Sequence, residues 1–444
     1  MIRSLSLVSF ACFAVSLSAQ ELPRRGALGL QMSPLTAEEA KANGVKAGIK
    51  AAGILPGLTA EAMKLAPNDI LISLNKKQIG ATADVSAVLR TLRAGELVTA
   101  VIKRDGKLVT LSTKLVEKPK QKPDGFEVVY THIVSNGNRI RVIATHPKGD
   151  GPFPTLFVIG GIGSYSMDGE FKTIPYGNIL EPISKAGYAI IRTEKPGQGD
   201  SDGPAYTDLL FNDELDAYIT SLRKMKTLPF VDKNRIAIFG HSMGGAFGPL
   251  VGAAEPVAGI ASCATMYKSW IEYNLENSRR QAALAGASGP DIEKQQVDLS
   301  KILHYTYNDQ LLPAQIIKKN PKLKAAVMDT YPDGKTYSGV GIKFFQQLSQ
   351  KNLPEAWVKA NCRVLSLWGD SDFISTGWDQ EEIVNCVNAA RPGYGEFKLL
   401  KNADHGFFQT SSFKDSMEKW GKPGNIHNPE VTSVLLEWLG RVLK

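Results

Sequence analysis

The apolar positions of this chain follow distinct rhythms in its two halves. From residue 126 onward, short blocks of consecutive apolar residues at 155–159, 189–192, 235–239, 257–262, 363–368 and 396–400 alternate with longer stretches of helical spacing. Blocks without polar alternation suit strands buried on both faces, as in a parallel sheet under helices. Helical spacing is clearest at 209–225, 380–389 and 429–443, the last with Val431, Val434, Leu435, Trp438, Leu439 and Val442 on one face. Two alternating runs, 128–134 and 139–144, flank Asn136-Gly137, the signal of a tight hairpin. The pattern predicts an α/β domain over 126–444 with a doubly wound sheet. Between residues 266 and 360 the alternation stops, and a mostly helical insertion, a lid over 267–360, takes its place.

Residues 24–116 read as a small, mainly-β domain. An apolar run with a central glycine covers 27–32, and a strand passes into a short helix over 54–62. A turn and an alternating strand follow at 68–75, then a helix at 83–92 with Val85, Val88, Leu89 and Leu92 at helical spacing. Two strands at 98–102 and 108–111 flank Asp105-Gly106, a hairpin turn. Residues 117–125, charged and carrying two prolines without periodicity, predict a linker. At the start of the chain, Arg3, an apolar stretch over 5–17 and the small residues Ser16, Ser18 and Ala19 form a cleavable secretory signal over 1–19. The chain is therefore expected to be exported, to a periplasm or the medium. No segment reaches the eighteen apolar residues of a stable membrane span.

The order of landmarks over 24–116 resembles the PDZ domains of exported bacterial proteases. Where that family usually has Gly-Asp before its central strand, this chain has Asn68-Asp69. PDZ domains take a chain end as an added strand on an open sheet edge. The resemblance implies a carboxylate site at Leu28, Gly29 and Leu30, with a C-terminal peptide as ligand.

Composition narrows the function classes. A chain 43% hydrophobic and 22% charged can build a sizeable core, so bulk disorder is excluded. The net charge of +8 is spread among acids without a basic run, so no nucleic-acid partner is expected. Beyond Cys12 in the signal, Cys263, Cys362 and Cys386 remain, with no C-x-x-C pair; Cys362 and Cys386, flanking one segment, could bridge. No H-E-x-x-H, Walker loop or strand-borne G-x-G-x-x-G occurs, so neither a metal nor a cofactor is expected.

Candidate chemistry lies in two G-x-S-x-G strings, Gly199-Asp200-Ser201-Asp202-Gly203 and Gly240-His241-Ser242-Met243-Gly244. A serine nucleophile needs a sharp strand-to-helix turn that lifts its hydroxyl above the sheet. The second string directly follows the strand block 235–239 and opens a run of small residues. The first lies beyond its strand, precedes Pro204 and sets Ser201 between two aspartates that would oppose an alkoxide. Ser242 is therefore the expected nucleophile. Pro249, seven residues on, is expected to kink or shorten the following helix.

Serine needs a base, and in this fold the order is serine, acid, histidine. That order excludes His132, His146 and His241, while His304 falls in the insertion and His427 before the last helix. His405, in a loop after the strand block 396–400, is the expected base. Asp370 and Asp372 both follow the strand block 363–368 and could orient it, whereas Asp404 adjoins the base. The oxyanion hole would take the amide of Met243 and that of Gly161 or Ile162, from a glycine loop after the block 155–159.

These motifs resemble the α/β-hydrolases, in particular exported bacterial members of the serine-aminopeptidase-like and esterase groups. The family's G-x-x-D after the acid-bearing strand falls on Gly369 and Asp372, which implies Asp372 as the acid. Its His-Gly-Gly loop is Ile159-Gly160-Gly161 here, and its D-x-x-G-x-G-x-S turn resembles 194–204. The resemblance implies an ester or peptide as substrate, hydrolysed through an acyl-enzyme. An inactive scaffold serving a PDZ binding protein is the reading from another class. In such folds the insertion sets substrate choice, and Tyr267 and Trp270 are the expected pocket wall.

Overall fold

The computed structural model describes residues 21–169 and 176–444. The secretory signal expected over 1–19 lies outside the described residues. None of the described helices is long and apolar enough to cross a membrane.

In the amino-terminal part, β1 (Leu30–Pro34), β2 (Ile49–Ile54), β3 (Ile70–Leu74), β4 (Lys77–Gln78), β5 (Leu97–Arg104) and β6 (Lys107–Lys114) form one antiparallel sheet. Its path runs β1-β2-β3-β5-β6, so β1 is an edge strand. The β5–β6 turn uses Asp105 and Gly106 at φ +49° and +76°, the conformation a two-residue hairpin demands. Asn68 sits at φ +72°, a conformation that glycine adopts freely and asparagine tolerates. This explains the departure from Gly-Asp. The sheet and the helix Thr82–Leu89 enclose a small core around Ile49, Leu71, Val85, Val98 and Ile102.

Residues 117–125 hold no helix or regular strand, yet they are tied down. Arg24 donates from Nη2 to the carbonyls of Lys118 and Pro119, at 2.8 and 2.9 Å, and the Gln121 amide donates to Tyr130 Oη at 2.8 Å.

The second sheet has eight strands: β7 (Phe126–Ser135), β8 (Asn138–Pro147), β9 (Phe153–Ile159), β10 (Ala189–Thr193), β11 (Val231–His241), β12 (Gly259–Cys263), β15 (Arg363–Gly369) and β16 (Gly395–Leu400). A separate two-stranded ladder, β13 (Thr336–Tyr337) and β14 (Val340–Gly341), lies in the insertion. The order is β16-β15-β12-β11-β9-β10-β8-β7, with β7 and β8 antiparallel and the rest parallel from β10 to β16. Alternate residues feed two cores. Ile236 and Ile238 of β11 face one layer, and Ala237 and Phe239 face the other. Helices Phe211–Met225, Met243–Ala254 and Gly377–Ala390 cover the first face, and Gly177–Lys185 and Glu430–Val442 the second. This is the α/β-hydrolase sheet, with strand ends of β11, β15 and β16 converging on one rim.

The helix Met243–Ala254 continues past Pro249 instead of stopping short there. The insertion is largely helical, but its last helix, Leu353–Ala360, packs beside Met243–Ala254 as part of the sheet's own layer. Trp357 is fully buried there and belongs to the main core. Truncating it should leave a large cavity: Trp357→Ala is expected to lower stability by about 3–5 kcal/mol, read from the midpoint of urea unfolding.

Candidate active site

Ser242 stands between β11 and the helix Met243–Ala254, at φ +54° and ψ −122°. A non-glycine residue held there stores about 1–3 kcal/mol of strain, so its surroundings must enforce the turn. They do so through glycines. A Cβ on Gly240 would lie 2.4 Å from the Gly244 carbonyl oxygen, and one on Gly244 would lie 2.1 Å from that of Ile159. The Ser242 amide donates to the Cys263 carbonyl at 2.9 Å, fastening the turn to β12.

Three side chains distant in sequence meet at this point. His405 Nε2 lies 3.0 Å from Ser242 Oγ, and His405 Nδ1 lies 2.9 Å from Asp372 Oδ2. Asp372 is fully buried at the end of β15. Burial alone would raise its pKa. The neighbouring His405 ring and the hydrogen bonds from His405, Ser375 Oγ and the Ser375 amide outweigh burial and hold it below the usual carboxylate range. Its Oδ1 accepts from the amides of Ile374 and Ser375 at 2.8 and 2.9 Å, which orients the carboxylate. Asp370 is exposed and takes no part, and Asp404 Oδ1 is occupied by the amides of Gly406 and Phe408, both at 2.8 Å.

The loop after β9 treats the two candidate amides differently. Gly161 N–H already donates to Tyr176 Oη at 2.7 Å. Among the described residues no acceptor takes the Ile162 or Met243 N–H, and both residues line the cavity at Ser242. Met243 also opens its helix, so its amide lies at the positive end of the helix dipole.

His241, set aside as a base on chain order, has another task. Its Nε2 faces the His405 carbonyl at 2.8 Å and its Nδ1 faces Tyr176 Oη at 3.1 Å. A neutral ring satisfies both by donating from Nε2 and accepting at Nδ1. Burial pushes its pKa down to about 3. The ring and Tyr176 thus connect the oxyanion loop to the backbone of the base. Tyr176 carries no motif and His241 fills the variable position of the string around Ser242, so the sequence does not signal that the two meet.

Other expectations fare differently. Ser201 is fully buried, its Oγ accepting from the Arg141 amide at 3.0 Å, so it faces no substrate. Trp270 lines the cavity at Ser242, but Tyr267 does not. The Tyr267 amide donates to Asp379 Oδ1 at 2.8 Å, which draws it towards the helix Gly377–Ala390, and its ring meets Trp378. The cysteines Cys263, Cys362 and Cys386 are free thiols, so Cys362 and Cys386 do not bridge. Among the described residues no cluster could hold a metal ion.

In the amino-terminal domain, Leu28 and Leu30 are buried and Gly29 takes φ +70°. The carbonyls of Leu28 and Gly29 accept from Ala60 and Leu55 at 2.7 and 2.8 Å, whereas among the described residues no acceptor takes the Leu28 and Gly29 amides. Unengaged amides beside the open edge of β1 suit an incoming carboxylate.

Fold and strand-end geometry define a serine-type α/β-hydrolase. The chain belongs to the serine aminopeptidase S33 family, whose model matches residues 173–410, more than half the chain. Residues 26–115 match the PDZ domain. Esterase FrsA of Klebsiella pneumoniae (strain 342) is 30% identical over 147 residues, 33% of each chain. A probable periplasmic serine endoprotease DegP-like of Hahella chejuensis is 33% identical over 101 residues, 23% of this chain and 21% of the relative. The chain thus spans about a third or less of the length of these curated relatives. Among solved structures, Est1E of Butyrivibrio proteoclasticus with bound ferulic acid aligns with TM-score 0.46 and 15% identity over 70% of this chain and 98% of that one. DcsB in complex with its substrate analogue aligns with TM-score 0.45 and 16% identity over 72% and 99%.

The buried His241 ring gives a pH signature. Its pKa in the fold lies below the free value of 6.5, so unfolding takes up a proton between pH 6.5 and about 3. Stability must therefore fall as pH drops through that window. Comparing melting temperatures of wild type and His241→Gln from pH 7 to 4 should show a shallower decline in the variant.

Proposed function

We propose that this protein hydrolyses uncharged carboxylic esters through an acyl-enzyme on Ser242. The observation that carries this reading is the character of the cavity above the nucleophile. It measures about 960 Å³, and its wall includes Met243, Met266, Trp270, Phe345, Phe407 and Trp420, with Asn277, Gln281 and Gln295 as neutral polar groups; among the described residues no Asp, Glu, Lys or Arg lines it. An aminopeptidase must hold a substrate ammonium, which an apolar wall would strip of water without a counter-charge. A neutral ester meets no such cost. The peptidase reading is thus the less favoured, despite the family's name.

In this scheme His405 Nε2 takes the proton of Ser242 Oγ as the oxygen attacks the ester carbonyl. Asp372 keeps the ring in the tautomer that presents Nε2 and stabilises its charged form. The amides of Ile162 and Met243 receive the developing oxyanion. The tetrahedral intermediate collapses, the leaving alkoxide takes the proton from His405, and the acyl group stays on Ser242. Water, deprotonated by the same ring, then releases the acid. An intact triad geometry supports this reading over that of an inactive scaffold.

The amino-terminal domain is proposed to take a peptide's carboxylate end at Leu28, Gly29 and Leu30, along β1. The signal read over 1–19 and a relative named as periplasmic support export.

Hydrolysis of p-nitrophenyl esters of rising chain length, with little turnover of aminoacyl anilides, is the expected result; the reverse preference would overturn the ester reading. A fluorophosphonate should label wild type and Ser201→Ala but not Ser242→Ala. Asp372→Asn should lower kcat by up to about 10⁴-fold, because the imidazole loses its enforced tautomer.

A further inference from the structure

Lys195 is a lysine with 2% exposure beside the site, and the chemistry above makes no use of it. Its Nζ donates to the carbonyls of Gly161 and Gly163 at 2.7 and 3.1 Å, lies 3.5 Å from Tyr206 Oη, and sits over the rings of Tyr165 and Tyr206. Among the described residues the carboxylate within ion-pair distance is Glu214, 3.8 Å away. A buried ammonium is costly unless its donors are engaged. Here the oxyanion loop engages them.

The peptide linking Gly161 to Ile162 explains why this matters. In a planar trans peptide, the Gly161 C=O and the Ile162 N–H point in opposite directions. Holding one aims the other. The Gly161 carbonyl accepts from Lys195 Nζ and also from Tyr165 Oη at 2.8 Å, while the Gly163 amide is tied to Tyr206 Oη at 2.7 Å. A cation on the carbonyl also polarises the peptide, which makes its N–H a stronger donor.

Lys195 is in turn held from the amino-terminal domain. It lies in the turn 194–203, whose carbonyls and carboxylates are gripped by arginines. Arg25 donates to the Gly197 and Ser201 carbonyls at 3.3 and 2.7 Å, and its amide to Asp200 Oδ1 at 2.6 Å. Arg24 reaches Asp200 Oδ2 at 2.6 Å, and Arg93 reaches Asp202 Oδ1 at 2.6 Å.

Building on the esterase reading, we propose that Lys195 is a positioning residue of the oxyanion hole, aiming and polarising the Ile162 amide through the Gly161 carbonyl. Arg24, Arg25 and Arg93 keep its turn in place, so the amino-terminal domain is a structural part of the hydrolytic site.

The test uses the full chain, with active sites titrated by fluorophosphonate so that rates refer to competent Ser242. Lys195→Met should lower kcat per titrated site about 10- to 100-fold, with KM within about threefold. The Ki of a trifluoromethyl ketone, whose adduct with Ser242 carries the oxyanion, should rise by the factor by which kcat/KM falls. A role in folding alone would lower the fraction of titratable sites and leave per-site kcat and Ki unchanged. Arg25→Ala/Arg93→Ala, altered only at the half-buried interface, should show the same split at about three- to tenfold. Should Lys195→Met not fold, this double variant decides. Per-site kcat within about twofold of wild type, with unchanged Ki, overturns the proposal. If wild type itself hydrolyses no ester, the esterase reading falls and takes this inference with it; an active wild type with an unaffected variant removes this inference alone.

Discussion

The hydrolytic rim depends on backbone passing backbone at one turn. Ser242 can hold its left-handed conformation only because Gly240 and Gly244 leave room for the carbonyls of Gly244 and Ile159. Close approach there sets three things together. The Ser242 hydroxyl is lifted off the sheet, the Met243 amide is freed at a helix start, and the loop after β9, proposed above to hold the oxyanion, is brought against Ser242, where a Cβ on Gly161 would lie 3.2 Å from that of Ser242. Larger residues at these positions would push β9 from β11 and separate the nucleophile from its loop.

Around that turn, polar groups that face inward are held by other buried groups. Tyr176, His241, Tyr165 and Lys195 are engaged with loop carbonyls and amides, and Ser375 with Asp372. Catalysis by oriented dipoles requires that the dipoles not relax when charge develops, and a loop tied at each flanking peptide meets that requirement. The apolar cavity adds to it, since a low-polarity wall strengthens the field of the two free amides.

Much of the fold was legible because both of its periodicities are strong. The blocks at 235–239 and 363–368 fall within β11 and β15, and the Asn136-Gly137 and Asp105-Gly106 turns join the strands they flank. Ser242 and His405 stand out in the sequence because each follows a strand block in the expected chain order, whereas Asp372 is separated from Asp370 only by the resemblance to the family's G-x-x-D. Tyr267 could not be placed, because its distance from the cavity is set by a hydrogen bond to Asp379, more than a hundred residues away. Trp357 was assigned to the insertion by position, while its burial depends on a neighbour made by another stretch of chain. Tyr176 carries no local signal, and Lys195 sits at a variable position of the turn 194–204, so the contacts of both arise only between elements. The string around Ser201 shows the converse, for its pattern matches the nucleophile's while its aspartates serve guanidinium groups across the domain border.

That border bears on how such a chain can be rearranged over evolutionary time. Asp168 and Asp200 are both buried, and Arg24 meets them from the far side of the border. A gene fusion or deletion that parted the two modules at residues 117–125 would leave two enclosed carboxylates without that cation. Among the described residues, Asp200 would keep only Arg141 of its own domain as a cationic partner, so exchanging one module alone would carry a cost in stability.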